Sequence, residues 1–420
     1  MARPHGMTTA PDDYRRKARF IVKLGIALHE CGATSQRVER HLLNVTRQLG
    51  FHGSFLISPT TFTCAFWQDD ELEQFVHVER IQPADHNLGL LWEIDRLMER
   101  VSRGGLDLDA AIAELHRLRA APANYSAVLQ GIAWALIGGS FAALLSTNAW
   151  DAACAALLSG LIFLFARRGA SHARWGPVLT LLAPFFSGLI ASFIARAGVP
   201  INVPFVILSS VIIFVPGLGL TVAMTEISSR DLISGTSRLV DALMQLLKLF
   251  FGSVSGMAVA AALAPQLPLP TNDGLATVAL AAGKTWPAVL GLSLGLGVAF
   301  NIPVRKLGAG LLAAALAFSV AGWGTAEFGM SAGMFLGSLA VGLYANLFSR
   351  ITRGPSSIPM MQGLVLLVPG SRTYMILNEW VSGTTILPGA SGGHQALMIF
   401  LCLLAGLMIA NALLPVRKPL

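Results

Sequence analysis

The stretch Val215-Pro216-Gly217 returns as Val368-Pro369-Gly370, and in each copy a glutamate follows ten residues after the proline, at Glu226 and Glu379. Both prolines and both glutamates are 153 residues apart. With one residue of slippage, Gly235-x6-Ala242-Leu243-Met244 is matched by Gly389-x6-Ala396-Leu397-Met398. Each copy lies in a strongly apolar run. Proline removes a backbone N–H and blocks the hydrogen bond one turn earlier, so a spanning helix breaks there. Two related apolar halves, each broken at Pro-Gly, are the sequence sign of a secondary transporter whose site lies between the halves.

Composition agrees with a membrane chain. The 420 residues are 54% hydrophobic and only 13% charged, outside the range of ordinary soluble domains. Residues 1–122 carry 15 Lys/Arg and 16 Asp/Glu, whereas the rest carry 15 and 7, so the net charge of +7 belongs to the apolar part. Its cations sit at the ends of apolar runs, where anionic lipid and the positive-inside bias account for them, and nucleic acid is a poor partner. Cys31, Cys64, Cys154 and Cys402 have no pairing or metal spacing and read as packing residues. No cleavable signal opens the chain, which puts the N-terminal region on the cytoplasmic side.

Up to Pro122 the pattern is α+β. Helices are predicted over Asp12–Glu30 and after a cap at Thr34 or Ser35, then a small three-stranded antiparallel sheet within 51–80. Two further helices follow at 87–103 and 107–119, the last capped by Asp107. Beyond Tyr125, ten apolar segments can be drawn: 127–146, 149–166, 177–197, 203–225, 239–263, 280–301, 307–323, 329–349, 358–381 and 395–414. Arginines and lysines follow every even-numbered span, which gives cytoplasmic N- and C-termini. Five spans per half invert the second repeat against the first, the geometry that alternating access uses. The expected fold is therefore mainly α: ten transmembrane helices in two inverted five-helix repeats behind a small α+β domain. The boundaries are 1–122, 123–265 and 275–420.

The broken helices supply the candidate site. Substrate contact is expected from Pro216, Gly217, Thr221 and Thr225, and from Pro369, Gly370, Ser371 and Arg372. Freed carbonyls at a break need partners, and ionisable groups at membrane depth usually face a cavity. Arg372 suits a carboxylate, because guanidinium binds it through two N–H groups. Glu226, Glu379 and Asp231 are the candidates for proton coupling. The bland alternative places Glu226, Arg230 and Asp231 in a solvated loop and makes the Pro-Gly pairs simple kinks. Gly252-x3-Gly256, Gly291-x3-Gly295 and Gly333-x3-Gly337 read as close helix contacts. Seven of the nine histidines precede residue 122 without ligand spacing. No metal motif, nucleotide loop or nucleophile–base pair is present, so neither a cofactor nor catalytic residues are expected.

Gly32-Ala33-Thr34-Ser35-Gln36-Arg37-Val38-Glu39, Leu49-Gly50 and Ser58-Pro59-Thr60 resemble the start of the threonine/serine exporter family. Val215-Pro216-Gly217 with Asp231-Leu232-Ile233-Ser234-Gly235 is similar too, as are Pro359, the Val368–Ser371 stretch and Tyr374. The likeness covers nearly the whole chain and matches the fused form, with both membrane halves in one polypeptide. It implies proton-driven export of threonine and serine across a bacterial inner membrane, with the lipid bilayer, protons and a small molecule as partners and a homo-oligomer compatible. Relatives split into two chains imply a rival cargo, succinate-like dicarboxylates. A rival of another class is a membrane-anchored sensor in which residues 1–122 bind the ligand. Arg37 and Glu39 match the family's Arg-Val-Glu pattern. Two residues apart on a helix, they point away from each other, and each is expected to pair with another element.

Overall fold

A computed structural model describes residues 12–67, 74–81, 87–103, 107–145, 148–170, 176–265, 282–367 and 392–415. The chain divides into two compact units. One gathers the residues up to Pro122 together with Arg230–Ser234, and the other holds Ala123–Ser229 and the chain from Gly235 on.

In the first unit, α1 (Asp12–Glu30) and α2 (Ser35–Gln48) precede β1 (His52–Ile57), β2 (Thr61–Trp67) and β3 (Phe75–Arg80), and α3 (Leu88–Ser102) and α4 (Leu108–Ala120) follow. The helical period places Ile21, Leu24 and Leu28 of α1 and Val38, Leu42 and Val45 of α2 in the core. Gly32 and Gly50 take φ of 83° and 85° at the ends of these helices, a left-handed conformation that glycine adopts without penalty. The sheet is antiparallel in the order β1-β2-β3. Alternation along β2 buries Phe62, Cys64 and Phe66. Gly25 of α1 leaves room for the Phe62 ring, which any side chain there would strike. Two expected caps are absent, because Thr34 and Asp107 stand at their N-cap positions without a side-chain bond to the helix. Arg37 pairs with Asp95 of α3 at 2.7 Å, the pairing with another element that the sequence leads one to expect of it.

The second unit is helical among its described residues: α5 (Ala127–Leu145), α6 (Ala149–Ala170), α7 (Gly176–Arg196), α8 (Val203–Ser210), α9 (Gly217–Ser228), α10 (Leu232–Leu263), α11 (Ala282–Ala299), α12 (Val304–Phe328), α13 (Met330–Thr352), α14 (Ser357–Leu367) and α15 (Gly392–Leu413). Six of these are long and apolar enough to cross a membrane: α5, α6, α7, α10, α12 and α13. The bent pair of α8 with residues 212–228 would be a seventh, while Thr285–Ala299, Ser357–Leu367 and Leu397–Leu413 are shorter apolar helices. The chain is thus a multi-pass membrane protein. Large apolar side chains such as Leu157, Phe251 and Trp323 stay exposed, as lipid contact allows.

The interior is packed through small residues. A methyl group on Gly252 or Gly256 would meet the backbone carbonyls of Leu181 and Phe185 on α7. One on Gly295 would meet Ala133 of α5, and one on Gly333 would meet Ala321 of α12. The three Gly-x3-Gly pairs are the close helix contacts that their spacing suggests. At the end of α15, Asn346 donates to the carbonyl of Leu414 and Arg350 to that of Pro415, covering carbonyls the helix leaves open.

Candidate functional site

The first Pro-Gly break is built in three pieces. Asn202 caps α8, its Oδ1 accepting from the Phe205 N–H at 3.2 Å, and its own N–H donates to Asp151 at 2.7 Å. After Ser210 the chain tightens into one turn of 3-10 helix over Ile212–Phe214 and then leaves helical geometry at Val215. Pro216 occupies the N-cap of α9, where its missing N–H costs no bond, and the two rods diverge by 58°. The break exposes carbonyls that in hydrocarbon must find a partner. Gln245 of α10 meets one of them, donating from Nε2 to the Phe214 carbonyl at 2.7 Å.

Thr221 and Thr225 are expected substrate contacts. Their hydroxyls donate to the carbonyls of Gly217 (3.0 Å) and Thr221 (2.8 Å), one turn back on α9. Such back-bonding weakens the helical ladder, and here it lies directly after the break. Glu226 is buried, with 2% of its side chain exposed, and so does not sit in a solvated loop. Arg238 of α10 donates to it from Nε at 3.1 Å and from a terminal nitrogen at 3.5 Å. This two-pronged geometry is what keeps charge tolerable away from water. Gly235 lets α10 approach the Ala223 carbonyl of α9 closely.

Between the two partners of that pair, residues 230–234 belong to the first unit. Arg230 is left-handed at φ 67° and turns the chain. Ser234 hydrogen-bonds Ser35 at 2.6 Å, both buried, which explains why Ser35 does not cap α2. Asp231, a candidate for proton coupling, lies close enough to Glu39 to act on its carboxyl. Burial and then Asp231 raise the Glu39 carboxyl, while Arg40 opposes them.

Pro369, Gly370, Ser371, Arg372 and Glu379 lie outside the described residues. The helix leading to them, α14, is described. Leu218 of α9 packs against the cluster that holds Leu364 and Leu367 of α14. Val365 and Leu366 pack against the cluster that holds Leu220. The helix ending just before the second Pro-Gly pair therefore packs against the helix that begins at the first. Gln245 and Gln362 carry parts of this region that sequence reading passed over. A lone glutamine in an apolar helix gives no local sign of what it will cap. No group of His, Cys, Asp or Glu among the described residues could hold a metal ion.

A multi-pass membrane protein whose interior helix is interrupted beside a buried ion pair is the architecture of a carrier. The chain belongs to the threonine/serine exporter family. The family described as "Putative threonine/serine exporter" matches residues 19–260, and "Threonine/Serine exporter, ThrE" matches residues 288–413. A "Probable threonine/serine exporter" of Mycobacterium tuberculosis is 27% identical over 77% of this chain and 62% of its own length. "Pheromone-regulated membrane protein 10" of Eremothecium gossypii is 24% identical, over 85% of this chain and 48% of the relative. The Saccharomyces cerevisiae protein of that name is 21% identical over 93% and 53%. The chain spans about half the length of these two relatives. No solved structure matches it.

Proposed function

We propose that the chain is a secondary exporter of small hydroxy amino acids, threonine and serine, driven by the proton gradient. The reading places ten spans in two inverted halves, 123–265 and 275–420, behind a cytoplasmic domain of residues 1–122, in a bacterial inner membrane. Its main support is the interrupted α8–α9 rod, with the helix leading to the second Pro-Gly packed on it. Discontinuous helices from matched halves, meeting near the bilayer centre, form the site in carriers of this kind.

Each candidate has a part in this scheme, with Thr221 and Thr225 lining the substrate path and Asp231 serving the proton path beside the glutamates. Pro216 and Gly217 open the first rod, and Pro369, Gly370 and Ser371 open the second. Arg372 takes the substrate carboxylate. Glu226 and Glu379 exchange protons: a proton arriving at Glu226 neutralises it and releases Arg238, so α9 and α10 can move apart. A dicarboxylate cargo needs two free cations. Arg238 is engaged by Glu226, which favours the amino-acid reading.

Efflux of labelled threonine from loaded vesicles, beside labelled succinate, tests the assignment. Threonine efflux that rises with an inward proton gradient supports it, and efflux of succinate alone overturns it. Arg372→Ala should abolish efflux at unchanged membrane abundance. Glu226→Gln should flatten the dependence of efflux on pH.

A further inference from the structure

The 153-residue repeat that pairs the two Pro-Gly breaks also pairs Ser209 with Gln362, each seven residues before its proline. Both are buried, at 0% and 1% exposure. Both also hold a polar atom that lacks a hydrogen-bond partner among the described residues, Oγ of Ser209 and Nε2 of Gln362. Gln362 is held in place: Ser293 of α11 donates to its Oε1 at 2.7 Å, and Gly297 and Gly310 leave room for the amide, which any side chain at either position would crowd. Whichever way that amide is turned, one end remains unpartnered.

The two positions stand on helices that border one core cluster. Ser209 stands one turn after Phe205 on α8, and Gln362 one turn before Val365 and Leu366 on α14, so each shares a helix face with those residues. Phe205 belongs to the core cluster against which Val365 and Leu366 pack. An orphan donor in a water-poor interior is costly, and two at equivalent repeat positions call for a common partner.

We propose that Ser209 and Gln362 form the subsite that reads the side-chain hydroxyl of the cargo. The inference rests on the export reading above and deepens it. Both groups are neutral, which suits a hydroxyl, whereas a carboxylate or ammonium calls for charge. The Gln362 amide donates to the cargo hydroxyl oxygen, and the cargo O–H donates to Ser209 Oγ. A site built to bond a hydroxyl rejects an analogue without one, because its own polar groups are then left unpaired. The repeat accounts for the location, since matched positions of inverted halves converge on the midplane site.

The test compares efflux of L-threonine with that of L-2-aminobutyrate, which lacks only the hydroxyl-bearing character of threonine's β-position, from vesicles holding the full chain. The wild type should prefer threonine by roughly 100-fold, and Ser209→Ala or Gln362→Met should cut that preference to below about tenfold. Threonine efflux should fall while aminobutyrate efflux holds or rises at unchanged membrane abundance, because the variants strand fewer polar groups against the analogue, whereas a merely structural role would lower both. Variants that keep the wild-type preference overturn the proposal, and a buried water would then be the partner. Equal efflux of the two compounds by the wild type overturns it without any variant. A wild type that moves neither compound removes the export reading itself, an outcome distinct from the other two.

Discussion

The first unit buries charge between elements far apart in sequence, whereas the second buries hydroxyls, several of which bond the helix they stand on. In the first, Arg37 of α2 reaches the largely buried Asp95 of α3 and His41 lies 4.0 Å from the same carboxylate, while Arg119 of α4 reaches Glu30 of α1 nearer the surface. In the second, Thr221, Thr225, Ser253 and Thr352 each donate to a carbonyl four residues earlier. The cores differ in the same sense. Phe20, Phe62 and Phe66 fill the first, while glycine, alanine and serine let backbones touch in the second. Where water can reach an opened pair, long polar side chains are tolerable. In hydrocarbon the safest partner is one a helix always carries with it.

Glu226–Arg238 is the exception in the second unit, and breaking it should give the largest effect. Arg238→Ala takes the guanidinium away from a buried carboxylate, at an expected cost of about 3–5 kcal/mol. Replacing both residues together by leucine should recover most of that stability, because no charge is then stranded. Phe62→Ala, which empties the first core, belongs in the same range of about 3–5 kcal/mol. Thermal unfolding of the detergent-purified chain checks all three. An Arg238→Ala variant with wild-type stability would mean that the guanidinium is not what makes the buried Glu226 carboxylate tolerable.

A smaller effect separates the units by pH. Burial, followed by Arg37 and Arg40, pushes the His41 imidazole down to about 3 from 6.5. The folded form thus holds His41 neutral where the unfolded chain begins to protonate it. Stability from this group is complete above pH 6.5 and is lost progressively as pH falls toward 3. Burial raises Asp95, with Arg37 opposing, which acts in the other direction. Comparing wild type with His41→Gln isolates the histidine. Between pH 6.5 and 5 the wild type should lose about 2 kcal/mol more than the variant. Amide exchange on the intact chain should confine that loss to the first unit.

Much of this contrast is legible in the sequence. Period-3.6 and period-2 patterns place α1–α4 and the three strands, because water on one side enforces an alternation that can be read. The Pro-Gly pair marks the break, and Gly-x3-Gly marks the close contacts. The partners are not legible. Glu226 stands twelve residues before Arg238, too far for a helical pair, and only the turn at Arg230 brings them together. Ser35 reads as a helix cap, yet it bonds Ser234, 199 residues away. Asp231 reads as part of the membrane half, yet it groups with the first unit. In each case the deciding contact is non-local, and residue type alone leaves the choice open.

The smallest effect sets one residue type in both environments. Asn87 caps α3 of the first unit, accepting from the Leu90 N–H at 3.0 Å, and Asn202 caps α8 of the second in the same way. Asn87→Ala should cost about 1 kcal/mol, since water can take over the freed amide. Asn202 is buried, so Asn202→Ala leaves the Phe205 N–H with nothing to bond and should cost about 2 kcal/mol. Amide exchange at Leu90 and Phe205 in the two variants reads each opening directly. If the two costs were equal, water would have to reach the start of α8. The second unit would then owe its self-bonded hydroxyls to helix geometry, with no contribution from a dry surrounding.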